Sequence, residues 1–207
     1  MLEPDLDCSL CPRLVDFRDQ NQAKYPNFHN GPVSSFGPLD AEILIVGLAP
    51  GLKGANRTGR PFTGDWAGDL LFPTLLKFGL AKGAYMASPT DEMNLINCRI
   101  TNAVRCVPFK NTVNAAEIAT CRPFLQAEID NMKKLHTIVC LGLVSHKAVL
   151  HALKHKLSDF KFNHGAQHRL SPKLRLFDSY HCSRYNTNTG RLTAGMFEDV
   201  FKALIRS

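Results

Sequence analysis

The chain contains no apolar run that reaches the ~20 residues needed to cross a bilayer as a helix, so a membrane-spanning role is not expected. Its first residues, MLEPDLDCSLCPR, lack the basic start of a secretory leader and carry acidic residues there instead. A cytoplasmic protein is therefore expected. It has neither an internal repeat nor a low-complexity tract, which argues against solenoids and disordered linkers. It also lacks an even set of cysteines. Seven thiols in a cytoplasmic chain do not make a disulfide framework, and metal ligation by some of them is the better reading.

With 207 residues, 44% of them hydrophobic, the chain is long enough for one domain with a real core. Lys and Arg number 25 against 18 Asp and Glu, a formal charge of +7. The segment from His151 to Arg191 concentrates this excess: Lys154, Lys156, Lys161, Arg169, Lys173, Arg175, Arg184 and Arg191 face only Asp159 and Asp178. Such a field suits a polyanionic partner.

Apolar runs without alternation predict buried parallel strands at AEILIVG, NLINCRITNAVRC, HTIVCLG and KLRLFDSYH. Helical spacing follows in AGDLLFPTLLKFGL, in NAAEIATCRPFLQAEIDNMKKL with Asn114 as its cap, in LVSHKAVLHAL, and in TAGMFEDVFKALI capped by Thr193. Residues 21–40 read as irregular. Strands alternating with helices give an α/β fold in which a parallel sheet is covered on both faces. Ligands bind such sheets beyond the carboxyl ends of the strands. Three polar clusters stand at those ends: the loop from Gly47, Thr101–Asn102, and the stretch from Tyr180 to Asn188.

Cys8 and Cys11 form a C-x2-C pair; Cys106 ends the second strand, and Cys121 follows fifteen positions later. Four such thiolates close a site for zinc or for an iron–sulfur cluster, and spacing alone does not choose between them. A metal centre there would pin the N-terminal segment, residues 1–40, to the body of a single domain spanning 1–207. Cys98 and Cys140, inside apolar strands, read as core.

The stretches GLAPGLKGANRTGRPFTGD, TNAVRC and HCSRYNTNTGRLT together resemble the uracil-DNA glycosylase superfamily, and within it the type B branch, also called family 5. The resemblance implies a three-layer α/β/α fold with a central, mainly parallel four-stranded sheet. It also implies a structural [4Fe–4S] cluster on Cys8, Cys11, Cys106 and Cys121, and a monofunctional DNA glycosylase that removes uracil and other damaged bases from DNA, leaving an abasic site. Phe62 would stack on the extruded base, Asn102 would bond its edge, and backbone groups of Gly47, Leu48, Ala49, Pro50 and Gly51 would approach it closely. Leu48 stands where related branches place an acid or asparagine, so that residue's job moves elsewhere or is done by binding alone; the resemblance implies Asp65 as the carboxylate, with Asp69 as its competitor. Asp65 also reads as a helix cap. His181 would bond the base oxygen as it becomes anionic. Cys182 stands where proline is usual, a change that frees the loop. Arg57, Thr58 and Arg60 are candidates to grip phosphates; Ser183, Arg184, Tyr185 and Asn186 would press on the duplex, with Arg184 or Tyr185 filling the gap left by the base. DNA carrying the damaged base is the partner, and a monomer is the default. The alternative is a non-enzymatic, metal-stapled nucleic-acid-binding module, which needs no convergence of Phe62, Asn102, Asp65 and His181.

Overall fold

Four five-residue stretches carry no exposed position, and this accounts for their unbroken apolar character: buried on both faces, they have no side to give to water. In the computed structural model, which describes residues 2–206, the elements run α1 (Pro12–Lys24), β1 (Ile43–Gly47), α2 (Ala55–Thr58), α3 (Trp66–Lys77), β2 (Ala81–Lys82), β3 (Asn94–Leu95), β4 (Cys98–Asn102), α4 (Ala115–Asn131), β5 (Thr137–Leu141), α5 (Leu143–Ala152), β6 (Gln167–Arg169), β7 (Arg175–Ser179), α6 (Arg184–Asn188) and α7 (Ala194–Ile205). The central sheet has the order β4-β1-β5-β7-β6. Its first four strands are parallel, as expected.

The alternation of side chains along each strand sorts the core into two layers. Ile43, Ile45, Val139, Leu141 and Phe177 pack under α3 and α7, with Leu71, Phe72, Phe197 and Phe201. Leu44, Val46, Ile138, Cys140 and Leu176 point the other way and pack under α4 and α5, with Leu125, Ile129 and Val149. Cys98 and Cys140 are core, as read from the sequence.

Three helix starts follow the sequence closely. Asn114 and Glu117 form a reciprocal capping box on α4. The Thr193 side chain accepts from the Met196 amide on α7, and Asp65 caps α3. Pro73 lies inside α3 without ending it.

The structure corrects the sequence reading in four places. A fifth strand, β6, extends the sheet antiparallel to β7. The first part of NLINCRITNAVRC belongs elsewhere: Asn94 and Leu95 pair with β2 in a separate two-stranded sheet, and the main strand begins at Cys98. Residues 21–24, read as irregular, are the last turn of a helix that Pro12 starts. The basic segment from His151 is not one face, because Arg175 opens β7 beside Thr137, at the opposite end of the sheet from the polar clusters.

Candidate active site

β1 and β4 end in register, so Gly47 lies directly beside Asn102. A side chain at Gly47 would collide with the Asn102 amide oxygen and with the edge of the Phe62 ring. Glycine is required here because the ring and the amide converge on this backbone. Phe62 is 6% exposed and adopts φ +53°, a left-handed conformation uncommon for an aromatic residue. Asn102 is 3% exposed, and among the described residues its amide makes no hydrogen bond to the protein. An amide without a protein partner beside an aromatic ring leaves a donor and an acceptor available at this strand end.

Arg60 holds the loop that presents Phe62. Its guanidinium donates to both oxygens of Asp91 at 2.7 and 2.9 Å and to Thr63 Oγ1 at 2.8 Å, and it stacks on Phe36 and Phe72. This pairing pulls the Asp91 carboxyl down to about 2. The expectation that Arg60 grips phosphate is therefore corrected: it is buried and committed to Asp91. Thr58, half-buried, spends its hydroxyl on backbone carbonyls of the same loop. Arg57 stays exposed, its Nε donating to the Lys53 carbonyl.

Asp65 Oδ1 accepts from the Ala67 and Gly68 amides at 3.2 and 3.3 Å. Its other oxygen lies against Gly51 and Gly54, where a side chain on either glycine would strike it. Burial raises the Asp65 carboxyl above the usual aspartate value against the lowering effect of those two amides. Capping and an available second oxygen thus coexist in one residue. Asp69, one turn later, is exposed.

His181 follows β7, half-buried, its ring stacked on Phe62 with centroids 6.0 Å apart. Desolvation pulls its imidazole down to about 4, so it is neutral at physiological pH. Among the described residues neither ring nitrogen has a protein partner, while the Asn186 amide donates to the His181 carbonyl at 2.8 Å. Asn186 is thus directed at the histidine loop rather than at solvent. Ser183 caps α6 by accepting from the Asn186 amide. Cys182 is fully buried among Leu192 and Phe197, so burial anchors this segment where a proline ring would have stiffened it, and the expectation of a freed loop is corrected. Tyr185 is 71% exposed.

A cleft of ≈ 380 Å³ opens between the Leu48–Gly51 backbone, Asp65, Trp66 and His181. A second hollow of ≈ 260 Å³ adjoins it at Leu48 and His181. Phe62 and the Asn102 amide oxygen crowd Gly47, the residue before Leu48, and the His181 ring that lines the cleft stacks on Phe62. Pro108 and Asn111 also line the first cleft, and so does Trp66. Sequence reasoning missed these three as site residues. For Trp66 a signal existed: it is the single tryptophan and it follows Asp65.

The four cysteines surround one small apolar cavity that Leu14, Val104, Arg105 and Phe124 also line. Burial first, and then neighbouring thiols, push Cys106 up to about 12; burial first also raises Cys11, followed by the Glu117 carboxylate, and raises Cys121. Four thiolates therefore cannot share this space without a positive centre. Arg105 Nε is buried there without a hydrogen-bond partner, and Arg18 donates to the Cys8 carbonyl at 2.9 Å. Among the described residues no three of the four sulfurs lie within 4.8 Å of one another.

A cleft beyond the carboxyl ends of a parallel sheet, lined by a carboxylate and by an imidazole stacked on a buried aromatic ring, is the site of an α/β enzyme. The family follows from comparison: residues 34–205 match the uracil DNA glycosylase superfamily, and the chain belongs to it. It is 40% identical over 198 residues to the type-5 uracil-DNA glycosylase of Thermus thermophilus, covering 93% of this chain and 90% of that protein. It is 38% identical to the type-5 enzyme of Mycobacterium leprae, over 94% of this chain and 89% of the relative. With that of Pyrobaculum aerophilum it shares 36% identity, over 95% and 87%. Among the described residues no helix is long and apolar enough to cross a membrane.

Proposed function

We propose that the protein is a monofunctional DNA glycosylase that hydrolyses the N-glycosidic bond of uracil, and of other deaminated or damaged bases, in DNA. One observation carries this: among the described residues the His181 ring nitrogens and the second Asp65 oxygen lack protein partners on one cleft, and the His181 ring stacks on Phe62, which crowds Gly47 together with the Asn102 amide. A base must leave the helical stack to enter such a slot. Phe62 then supplies the stacking wall, the Asn102 amide reads the base edge, and the Gly47–Gly51 backbone approaches where side chains would block it.

As the glycosidic bond lengthens, positive charge grows on the sugar and negative charge on the base. Asp65 steadies the first and orients the attacking water. Neutral His181 donates to the base oxygen as it becomes anionic, without having to be a strong acid. Water adds to the sugar, the base departs, and an abasic site remains. Arg57, Ser183, Arg184 and Tyr185, around the mouth, contact the DNA, with Arg184 or Tyr185 filling the vacated position.

Cys8, Cys11, Cys106 and Cys121 hold a [4Fe–4S] cluster in this reading. These four thiolates would hold the cluster, whose positive iron would offset their crowded charge, with the unpaired Arg105 Nε–H beside them, and residues 1–40 would thereby be tied to the sheet. The type-5 names of the relatives support an enzyme over a non-enzymatic binding module.

The test is to incubate the purified protein with oligonucleotides bearing uracil, hypoxanthine or xanthine and then treat them with alkali. Strand scission at the modified position, dependent on alkali, is expected; intact strands across all three substrates would refute the assignment.

A further inference from the structure

Trp66 joins the two halves of the cleft. It is the first residue of α3, immediately after the Asp65 cap. Its indole Nε1 donates to Thr187 Oγ1 at 2.7 Å, across 121 positions of chain. Indole has a single donor and no acceptor, so this bond uses its whole polar capacity. The Thr187 hydroxyl in turn donates to the Ser183 or Arg184 carbonyl, at 3.2 and 3.1 Å. Asn186, one residue before Thr187, holds the His181 carbonyl. The Arg184 guanidinium lies 5.6 Å from the indole centroid, a cation–π contact made between the same two segments.

Asp65 and His181 share no hydrogen bond. Their relative position rests on how α3 and the α6 segment meet, and the Trp66–Thr187 bond is a direct tie between the two. A misplacement of ~1 Å between reacting groups costs up to ~10²-fold in rate. We propose that Trp66 is a positioning residue for base release, a latch that sets the carboxylate of Asp65 against the imidazole of His181. The inference rests on the catalytic roles assigned above to those two residues.

Trp66→Phe keeps an aromatic side chain but removes the donor together with the pyrrole half of the indole, whereas Thr187→Val removes the acceptor at nearly constant shape. Each variant is expected to slow single-turnover release of uracil about tenfold while the Kd for the same oligonucleotide changes less than about twofold. The double variant should be no slower than either single one, because both break one bond. The emission of the single tryptophan should shift in Thr187→Val, reporting loss of the bond in folded protein. Native rates in both variants, additive losses, or a rate loss matched by lost affinity would overturn the latch; the last would make Trp66 a DNA contact. Asp65→Ala and His181→Ala are assayed beside them. If those two are slow while Trp66→Phe is native, the latch alone falls. If Asp65→Ala releases base at the native rate, the catalytic assignment itself falls.

Discussion

Two groups of buried polar side chains flank the same pair of strands, and they are built on opposite rules. In the first, Glu128 on α4 is fully buried and uses both oxygens: Arg99 Nε donates at 2.7 Å and Arg105 Nη2 at 2.6 Å. Arg105 continues to Glu3 at 2.8 Å and to Ser35 at 2.7 Å. In the second, Asn102, His181 and the outer Asp65 oxygen are held in place by backbone and packing, yet among the described residues their polar side-chain atoms have no protein partner. The first group matches charge with charge and ties the N-terminal segment to β4 and α4. The second leaves polar groups unmatched, a pattern a fold carries where a ligand completes it.

The largest expected effect breaks the first group. Glu128→Ala leaves two arginines buried without their shared partner and should destabilise the protein by about 3–5 kcal/mol, read as a lower denaturant midpoint. The base-release rate of the protein that remains folded should stay near native. A midpoint within error of wild type would show that the network contributes little.

Next comes the second group, where Asp65 separates structure from chemistry. Asn is as good an N-cap as Asp, so Asp65→Asn should keep the stability of α3 and still slow single-turnover release about 10²–10³-fold. A variant with native rate would leave Asp65 as a cap alone. The pH profile sharpens this. Burial raises the Asp65 carboxyl, and its ionised form is the working one, so activity should fall on acidification beginning above the ordinary aspartate range. Asp65→Asn should lose that part of the limb. His181 is protonated only near pH 4, so it stays neutral across the neutral range and leaves the profile flat there. Because the folded state resists its protonation, its contribution to stability is present above the unfolded value near 6.5 and is lost as pH falls towards 4.

How much of this could be read from the residues depended on whether the deciding partner was near in sequence. The four parallel strands announced themselves because burial on both faces leaves a continuous apolar run. The Asn114 box and the Thr193 cap close over three positions, so they were legible too. β6, Gln167–Arg169, has no buried residue and owes its extended form to pairing with β7 alone. α1 is polar, mostly exposed, and held by what surrounds Cys8 and Cys11 rather than by an apolar stripe. In the site, Gly47, Phe62, Asn102, Asp65 and His181 converge as expected, since their loops leave adjacent strand ends. Arg60 misled because its partner, Asp91, lies 31 positions away, and Trp66 escaped notice because Thr187 lies 121 away.

The smallest effect concerns two arginines three positions apart in one loop, which composition cannot tell apart. Arg60 is buried against Asp91, whereas Arg57 is exposed with its guanidinium free of any carboxylate among the described residues. If Arg57 contacts a phosphate, Arg57→Ala should weaken binding to uracil-containing and undamaged oligonucleotides alike, and should lower the slope of log K against log salt by about 1. Arg60→Ala should leave that slope unchanged and reduce stability instead, because Asp91 would lose the partner that holds it ionised at about 2. A changed slope in Arg60→Ala with the native slope in Arg57→Ala would invert the assignment. The loop would then have to turn its buried arginine outward on DNA, breaking two hydrogen bonds to Asp91 and releasing the segment that presents Phe62.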